Sequence, residues 1–127
     1  MQNSPLKGTG GIRRIINASG YSIAGLRAAY TGEAAFRQLV LISLILIPLS
    51  FFLPVSAVEH AVLIVVCLLS LVIELINSAI EAVVDRISLE LHPLSKNAKD
   101  MGSAAQMIGL LIICTTWALI LLPKYIG

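Results

Sequence analysis

Three long apolar stretches dominate the chain and are separated by short segments in which polar residues gather. The first covers about residues 39–58, the second 61–84 and the third 101–122. An α-helix needs about 20 predominantly apolar residues to cross a bilayer. The pattern therefore predicts an all-α integral membrane protein with three transmembrane helices. Pro48 and Pro54 are expected to kink or shorten the first helix.

A different pattern precedes the first apolar stretch. Between residues 12 and 38, apolar side chains recur at helical spacing and arginines stand between them. This arrangement is typical of a helix that lies in the membrane interface. We predict an amphipathic surface helix over 12–38, with a break near Gly20, after a tail of residues 1–11. The polar segment 85–100 is predicted to be a loop between the second and third spans.

The composition agrees with a membrane protein. Hydrophobic residues make up 57% of the 127 residues, charged residues make up 13%, and the mean hydropathy is +0.92. A soluble domain carries about 25% charged residues. The net charge of +2 is too small to indicate nucleic-acid binding. Cys67 and Cys114 lie in apolar stretches, where thiols behave as small hydrophobic groups, so no disulfide is predicted.

Basic residues are distributed unevenly around the predicted spans. Eight of the nine precede the first span or lie between the second and third, and only Lys124 follows the third. Cytoplasmic segments of membrane proteins carry the excess of lysine and arginine. We therefore predict a cytoplasmic N-terminus, a cytoplasmic 85–100 loop and a C-terminus on the outer side of the membrane.

Two glutamates, Glu74 and Glu81, lie within the second span. A carboxylate at membrane depth is costly unless it faces a partner, a cavity or a metal. At about 100° per residue, both glutamates share a helix face with Asn77, Ser78 and Asp85. Three helices are too few to enclose such a polar face, so a homo-oligomer is predicted. Small residues at 102–105 and 109 favour close packing of the third helix.

These residue types suit phosphoryl transfer at a membrane surface. A desolvated Glu74 suits a general base acting on an alcohol, and Glu33 and Glu81 suit Mg²⁺ shared with substrate phosphates. Lys99 can contact a phosphate as a point charge. Simpler readings stay open: Asp100 as the N-cap of the third span, Lys99 as a topology signal, and His92 with Pro93 as a bend. Neither a Walker-type loop nor a protein-kinase glycine loop is present, so these residues alone do not identify ATP.

Five blocks of the sequence closely resemble the prokaryotic diacylglycerol kinase family. They are Gly20–Ser22, Gly25–Ala29, Glu33–Gln38, Glu74–Arg86 and Ala98–Ala105. The last two are the most specific, and the first three resemble the Gram-negative branch more than the Gram-positive undecaprenol kinases. The resemblance extends over essentially the whole chain from residue 12.

The resemblance implies a small homotrimeric enzyme of the bacterial inner membrane, with a periplasmic C-terminus, that transfers the γ-phosphoryl group of Mg-ATP to diacylglycerol. We expect the sites to lie at subunit interfaces, because a trimer would bring the second span of one subunit beside the surface helix of its neighbour. By motif matching, Glu74 takes the position of the general base with Asn77 beside it, and Glu33 and Glu81 take the metal positions. The nucleotide-binding positions match Arg14, Tyr21, Glu33, Glu81, Glu90, Leu91, His92, Lys99 and Asp100. The lipid-binding positions match Arg14, Ala18, Ser19, Gly20, Tyr21, Ser22, Arg27, Ala28, Ala29, Tyr30, Ala35, Phe36, Arg37, Gln38, Leu39, Glu74 and Ser103.

Two other functions compete with this one. The first keeps the chemistry and changes the acceptor lipid, giving an undecaprenol kinase. The second is a small proton-coupled transporter with Glu74 as the proton-binding carboxylate. A transporter leaves Glu33, Lys99 and the amphipathic segment without a task, and three spans are few for alternating access.

Overall fold

A computed structural model describes residues 10–126, and these residues form four α-helices and no strand. The helices are α1 (Ile12–Gly32), α2 (Ala34–Ser50), α3 (Ala57–Ile87) and α4 (Pro93–Tyr125). The predicted all-α fold is confirmed. Most of the predicted tail, residues 1–9, lies outside the described residues.

The helices α3 and α4 are each long and apolar enough to cross a membrane, with 31 and 33 residues. The helix α2 has only 17 residues, and it reaches the length of a span only together with α1, from which it is bent by 107°. The described residues therefore contain two candidate membrane spans, or three when the bent pair is counted as one.

The break in the N-terminal segment lies at Glu33, not near Gly20. The helix α1 continues through Gly20, where the hydroxyls of Ser19 and Ser22 donate to carbonyl oxygens one turn earlier. Glu33 is extended, with φ −125° and ψ 112°. Its N–H closes α1 on the carbonyl of Ala29, and its carbonyl accepts the N–H of Arg37 at the start of α2. A single helix over 12–38 is thus replaced by two helices joined through one residue.

The side chain of Arg37 holds this bend. Its Nη1 donates to the carbonyl oxygens of Tyr30 at 2.7 Å and Thr31 at 3.2 Å. These carbonyls belong to the last turn of α1, where intrahelical partners run out. A positive charge at a helix C-terminus also interacts favourably with the helix dipole. The arginine of α2 therefore caps α1 and fixes the direction in which the chain turns.

The first span ends earlier than predicted. The helix α2 contains Pro48 and stops at Ser50. The next three N–H groups, of residues 51–53, bond to carbonyls three residues earlier and not four, so the α-helical pattern ends there. The next helix, α3, starts at residue 57, four residues before the predicted 61. There Ser56 and Glu59 form a reciprocal capping box, in which each side chain accepts the other's backbone N–H.

The predicted loop over 85–100 is largely helical. The helix α3 continues to Ile87 and α4 begins at Pro93, so only residues 88–92 connect them. His92 is the N-cap of α4, because its Nδ1 accepts the N–H of Leu94 at 3.1 Å. Pro93 occupies the first helical position, where its missing N–H costs nothing. The reading of Asp100 as an N-cap is wrong, since Asp100 lies two turns inside α4.

The helices α3 and α4 form an antiparallel hairpin, with α2 packed on α3. The apolar core lies in the half of the hairpin distant from Glu74. Its buried members are Leu63, Val66, Cys67, Ile113 and Trp117. An ion pair between Glu59 and Lys124, at 3.1 Å, closes the same end. The apolar half of the hairpin therefore fixes the register of α3 and α4. The opposite half is polar and carries the candidate site.

Candidate functional site

Glu74 faces the interior of the hairpin, with only 4% of its surface exposed. Its Oε2 accepts a hydrogen bond of 3.0 Å from Nε2 of Gln106 on α4. The same amide nitrogen donates to the backbone carbonyl of Ser70, one turn earlier on α3, at 2.9 Å. The glutamate thus sits against a hydrogen-bond donor on the neighbouring helix, in a place where water is largely excluded.

Asn77 lies one turn after Glu74 and is also buried. Its Nδ2 donates to Oε1 of Glu81 at 3.3 Å. Glu74, Asn77 and Glu81 lie on one side of α3, which we call the acidic face, and the amide of Asn77 connects its successive turns. The other end of the Asn77 amide points at Gly102 of α4. A Cβ at Gly102 would overlap with Oδ1 and lie 2.9 Å from Cγ of Asn77. The absence of a side chain at residue 102 is what allows α4 to approach the acidic face so closely.

Carboxylates from two elements come together at this end of α3. The half-buried Glu81 is repelled by the negative charges of Glu33 and Glu74 and attracted by the positive charge of Lys99. The extended backbone at Glu33 places its side chain at the α1–α2 bend, where it caps no helix. Oxygen ligands of this kind suit a hard divalent cation. The described residues hold no group of three or more ligating side chains, so phosphate oxygens would have to complete the coordination.

A cavity of about 640 Å³ lies where α3 ends and α4 begins. Lys99 extends across it to Asp85 of α3, with 2.7 Å between Nζ and Oδ1, and Lys96 pairs with Asp100 one turn apart on α4 at 2.6 Å. The cavity therefore combines apolar walls with two lysines, each of which is paired with an aspartate. Its lining includes five predicted nucleotide-binding residues: Glu90, Leu91, His92, Lys99 and Asp100.

Four predicted nucleotide-binding residues do not line this cavity: Glu33 and Glu81, which belong to the carboxylates described above, and Arg14 and Tyr21. Arg14 and Tyr21 lie exposed on α1, which packs on α2 and α3 but makes no contact with α4 in the described part of the chain. One chain therefore brings together only part of the predicted nucleotide set.

A second, open groove of about 450 Å³ lies between α1, α2 and α3. Its walls are almost entirely apolar and include Arg27, Tyr30 and Phe36 from the predicted lipid-binding set. Leu71 forms its floor on α3, three residues before Glu74 and thus adjacent to it on the helix surface. The groove therefore reaches α3 within one helical turn of Glu74.

The other predicted lipid-binding residues do not line this groove. Ala29 and Leu39 are buried between the helices, and Ser103 is exposed on α4 next to Gly102. The guanidinium of Arg37 caps α1 through Nη1, and its contact with the lipid stays a prediction. Exposed positions on α1 and α2 are Ala18, Ser19, Gly20, Ser22, Ala28, Ala35 and Gln38.

The structure adds one side chain that the sequence analysis did not select, namely Gln106. A signal was available, because an amide stands there within a long apolar stretch of the third span. Gln106 was not selected because only carboxylates and their neighbours on the same helix face were considered as polar groups of the membrane spans. The partner of an amide in a membrane helix depends on the rotation of the neighbouring helix, which the sequence does not show.

The helical hairpin, its buried acidic face and the charged cavity at one end define a multi-pass helical membrane protein with a polar active site. Residues 20–121 match the model of the prokaryotic diacylglycerol kinase family. The chain belongs to this family, as its sequence blocks predicted.

Several curated relatives cover nearly the whole chain. Diacylglycerol kinase of Pseudomonas aeruginosa is 65% identical over 122 residues, which are 96% of this chain and 99% of the relative. Diacylglycerol kinase of Escherichia coli is 49% identical over 113 residues, 89% of this chain and 93% of the relative. Diacylglycerol kinase of Helicobacter pylori is 47% identical over 116 residues, 91% of each chain.

Proposed function

We propose that this protein is an ATP-dependent diacylglycerol kinase in which Glu74 is the general base. Family membership and the relatives' shared name support the activity and the acceptor. The observation that supports the base is the buried carboxylate of Glu74, which lies beside the floor of an apolar groove. A carboxylate removed from water at the edge of a lipid-sized groove can accept a proton from a lipid hydroxyl.

The reaction requires one proton transfer and one displacement. Glu74 takes the proton from the free hydroxyl of diacylglycerol, and the lipid oxygen forms a bond to the γ-phosphorus of ATP. The bond from that phosphorus to the β–γ bridging oxygen breaks, so the products are phosphatidic acid and ADP. Because most of the catalytic effect in phosphoryl transfer comes from positioning and charge stabilisation, few side chains are needed.

The charged groups around Glu74 suit the second substrate. Mg²⁺ bound by Glu33 and Glu81, together with phosphate oxygens, would neutralise charge on the phosphates. Its binding would also relieve the repulsion that Glu81 experiences from the neighbouring carboxylates. Lys99 lines the charged cavity and can exchange its partner Asp85 for a phosphate. In this proposal ATP binds at the charged cavity where α3 ends and α4 begins, and the lipid binds in the apolar groove between α1, α2 and α3.

We further propose that the protein works as a homotrimer in the bacterial inner membrane, with α1 on the cytoplasmic surface. The excess of basic residues before and between the spans supports a cytoplasmic position for the charged cavity. The hairpin leaves many large apolar side chains exposed, and Arg14 and Tyr21 lie apart from the cavity of their own chain. A neighbouring subunit that supplies α1 to this cavity would account for both observations.

Subunit sharing can be tested by mixing impaired chains. At an ATP concentration below KM, Arg14→Ala subunits and Lys99→Met subunits are each impaired alone. They should regain part of the activity when they are reconstituted together, because some mixed sites contain both native residues. Mixing Glu33→Gln with Glu81→Gln subunits is the contrasting pair, since these residues lie together in one chain. No recovery with the first pair would exclude the proposed sharing.

The base is tested by Glu74→Gln, which keeps the size of the side chain and removes its basicity. Turnover of diacylglycerol with ATP in vesicles should fall by about 10²–10⁴-fold, while nucleotide binding is retained. Glu59→Gln is the matched control, because it makes the same change on the same helix at the end distant from the groove. Wild-type turnover in Glu74→Gln would exclude a general-base role.

Two measurements separate the alternative functions. Supplying undecaprenol in place of diacylglycerol measures the preference for the acceptor, and we expect the faster reaction with diacylglycerol. Substrate uptake driven by a proton gradient without consumption of ATP would instead indicate a transporter.

A further inference from the structure

Gln106 is a polar side chain of the site to which the proposed reaction assigns no task. It lies in α4, half-buried against α3, with apolar residues following it along the helix. Both hydrogens of its amide group are engaged, one with Oε2 of Glu74 and the other with the carbonyl of Ser70. Two contacts at successive turns of α3 hold the amide in one position.

The chemistry of its neighbours determines which way the amide points. Ser70 offers a backbone carbonyl and Glu74 offers a carboxylate, so both are acceptors. Turning the amide over would place its Oε1 against two other oxygens and lose both hydrogen bonds. Gln106 is therefore a donor to one defined oxygen of Glu74.

Stability alone does not account for a glutamine here. Oε1 of Gln106 is buried and has no hydrogen-bond partner among residues 10–126. Gly109 leaves the space that this oxygen occupies, since a Cβ there would lie 2.7 Å from it. A buried acceptor without a partner destabilises the folded protein, whereas an apolar residue of the same length would avoid this cost.

We propose that Gln106 is a positioning residue for the reaction, which rests on the proposed role of Glu74 as general base. By donating to Oε2, it holds the carboxylate in one orientation and leaves Oε1 as the oxygen that accepts the proton. A base fixed in a productive orientation reacts faster than one that samples several side-chain rotamers.

The substitution Gln106→Met tests this role, because methionine has a similar length and lacks the donor. We expect kcat to fall about tenfold, as for the loss of one hydrogen bond to a charged group. KM for ATP and for diacylglycerol should remain unchanged, and the fall in kcat should persist at temperatures well below the midpoint of thermal unfolding in bicelles, where the variant is fully folded. Thr115→Val, a comparable change at an exposed position of α4, is the control. An unchanged kcat, or a loss of activity explained by a lower unfolding midpoint, would overturn the proposal.

A double-mutant cycle with Glu74→Gln distinguishes this proposal from the one it rests on. If Gln106 acts through Glu74, adding Gln106→Met to Glu74→Gln should change the residual turnover less than twofold. A further tenfold loss in the double variant would refute positioning. Wild-type turnover in Glu74→Gln would refute the general-base role of Glu74 itself. A loss of turnover in Glu74→Gln together with full activity in Gln106→Met would refute only the positioning role of Gln106.

Discussion

Replacing Gly102 by alanine introduces one methyl group at the closest approach of α3 and α4. The new Cβ would overlap with Oδ1 of Asn77 and lie 2.9 Å from its Cγ and 3.7 Å from its Cβ. Rotation of the terminal amide moves Oδ1 but leaves Cγ in place, so it cannot relieve the contact. Either Asn77 adopts another χ1 rotamer or the two helices separate.

The magnitude follows from two opposing effects. Alanine favours a helix over glycine by about 1 kcal/mol, whereas inserting a methyl group into a packed interface costs about 1–3 kcal/mol. The difference between the two is about 0–2 kcal/mol, so we expect the free energy of unfolding to decrease by up to about 2 kcal/mol. A displaced Asn77 also loses its contact with Glu81, so turnover should fall by about tenfold.

The assay combines thermal unfolding in bicelles with lipid phosphorylation in vesicles. Gly25→Ala is the matched control, because a Cβ at that helical position meets nothing within 4 Å. The double variant Gly102→Ala with Asn77→Ala should regain stability without regaining activity, because it removes Cγ and Oδ1 and leaves an ordinary contact with Cβ. A Gly102→Ala protein as stable and as active as the wild type would refute the close approach of the helices.

Two further predictions concern the bend and the charged cavity. Arg37→Leu removes the cap on the last turn of α1. Backbone amides around Glu33 should then exchange hydrogen faster, and the free energy of unfolding should decrease by about 1 kcal/mol. Unchanged exchange would show that the arginine does not hold the bend. Lys99→Met should raise KM for ATP by about tenfold, and Lys96→Met should raise it less, because Lys99 extends from α4 to Asp85 of α3 whereas Lys96 pairs within its own helix. Equal effects of the two lysines would contradict the assignment of Lys99 to the phosphates.

Much of the architecture could be predicted from local properties of the sequence. The second and third spans follow from the length of the apolar stretches, and the helices exceed the predicted ranges because Ser56 and His92 cap them earlier. The effect of Pro48 was anticipated, because the loss of a backbone N–H acts on the helix that contains it. The break at Glu33 was not, since glycine is the more familiar helix breaker and the bend depends on an arginine four residues later.

For the site, the sequence by itself determined that carboxylates lie on one face of a membrane helix and that the chain belongs to the prokaryotic diacylglycerol kinase family. Helical spacing and apolar context are sufficient for the first conclusion, and motif resemblance is sufficient for the second. The roles of individual residues, the trimer and the orientation in the membrane stay predictions.

Only the tertiary structure decided which residues of different helices meet. The contact of Gln106 with Glu74, the space that Gly102 leaves for Asn77, and the approach of Glu33 to Glu81 all cross between elements. Such contacts depend on the rotation and axial register of packed helices. Many small packing terms along the whole hairpin set both quantities together, so no short stretch of sequence carries them.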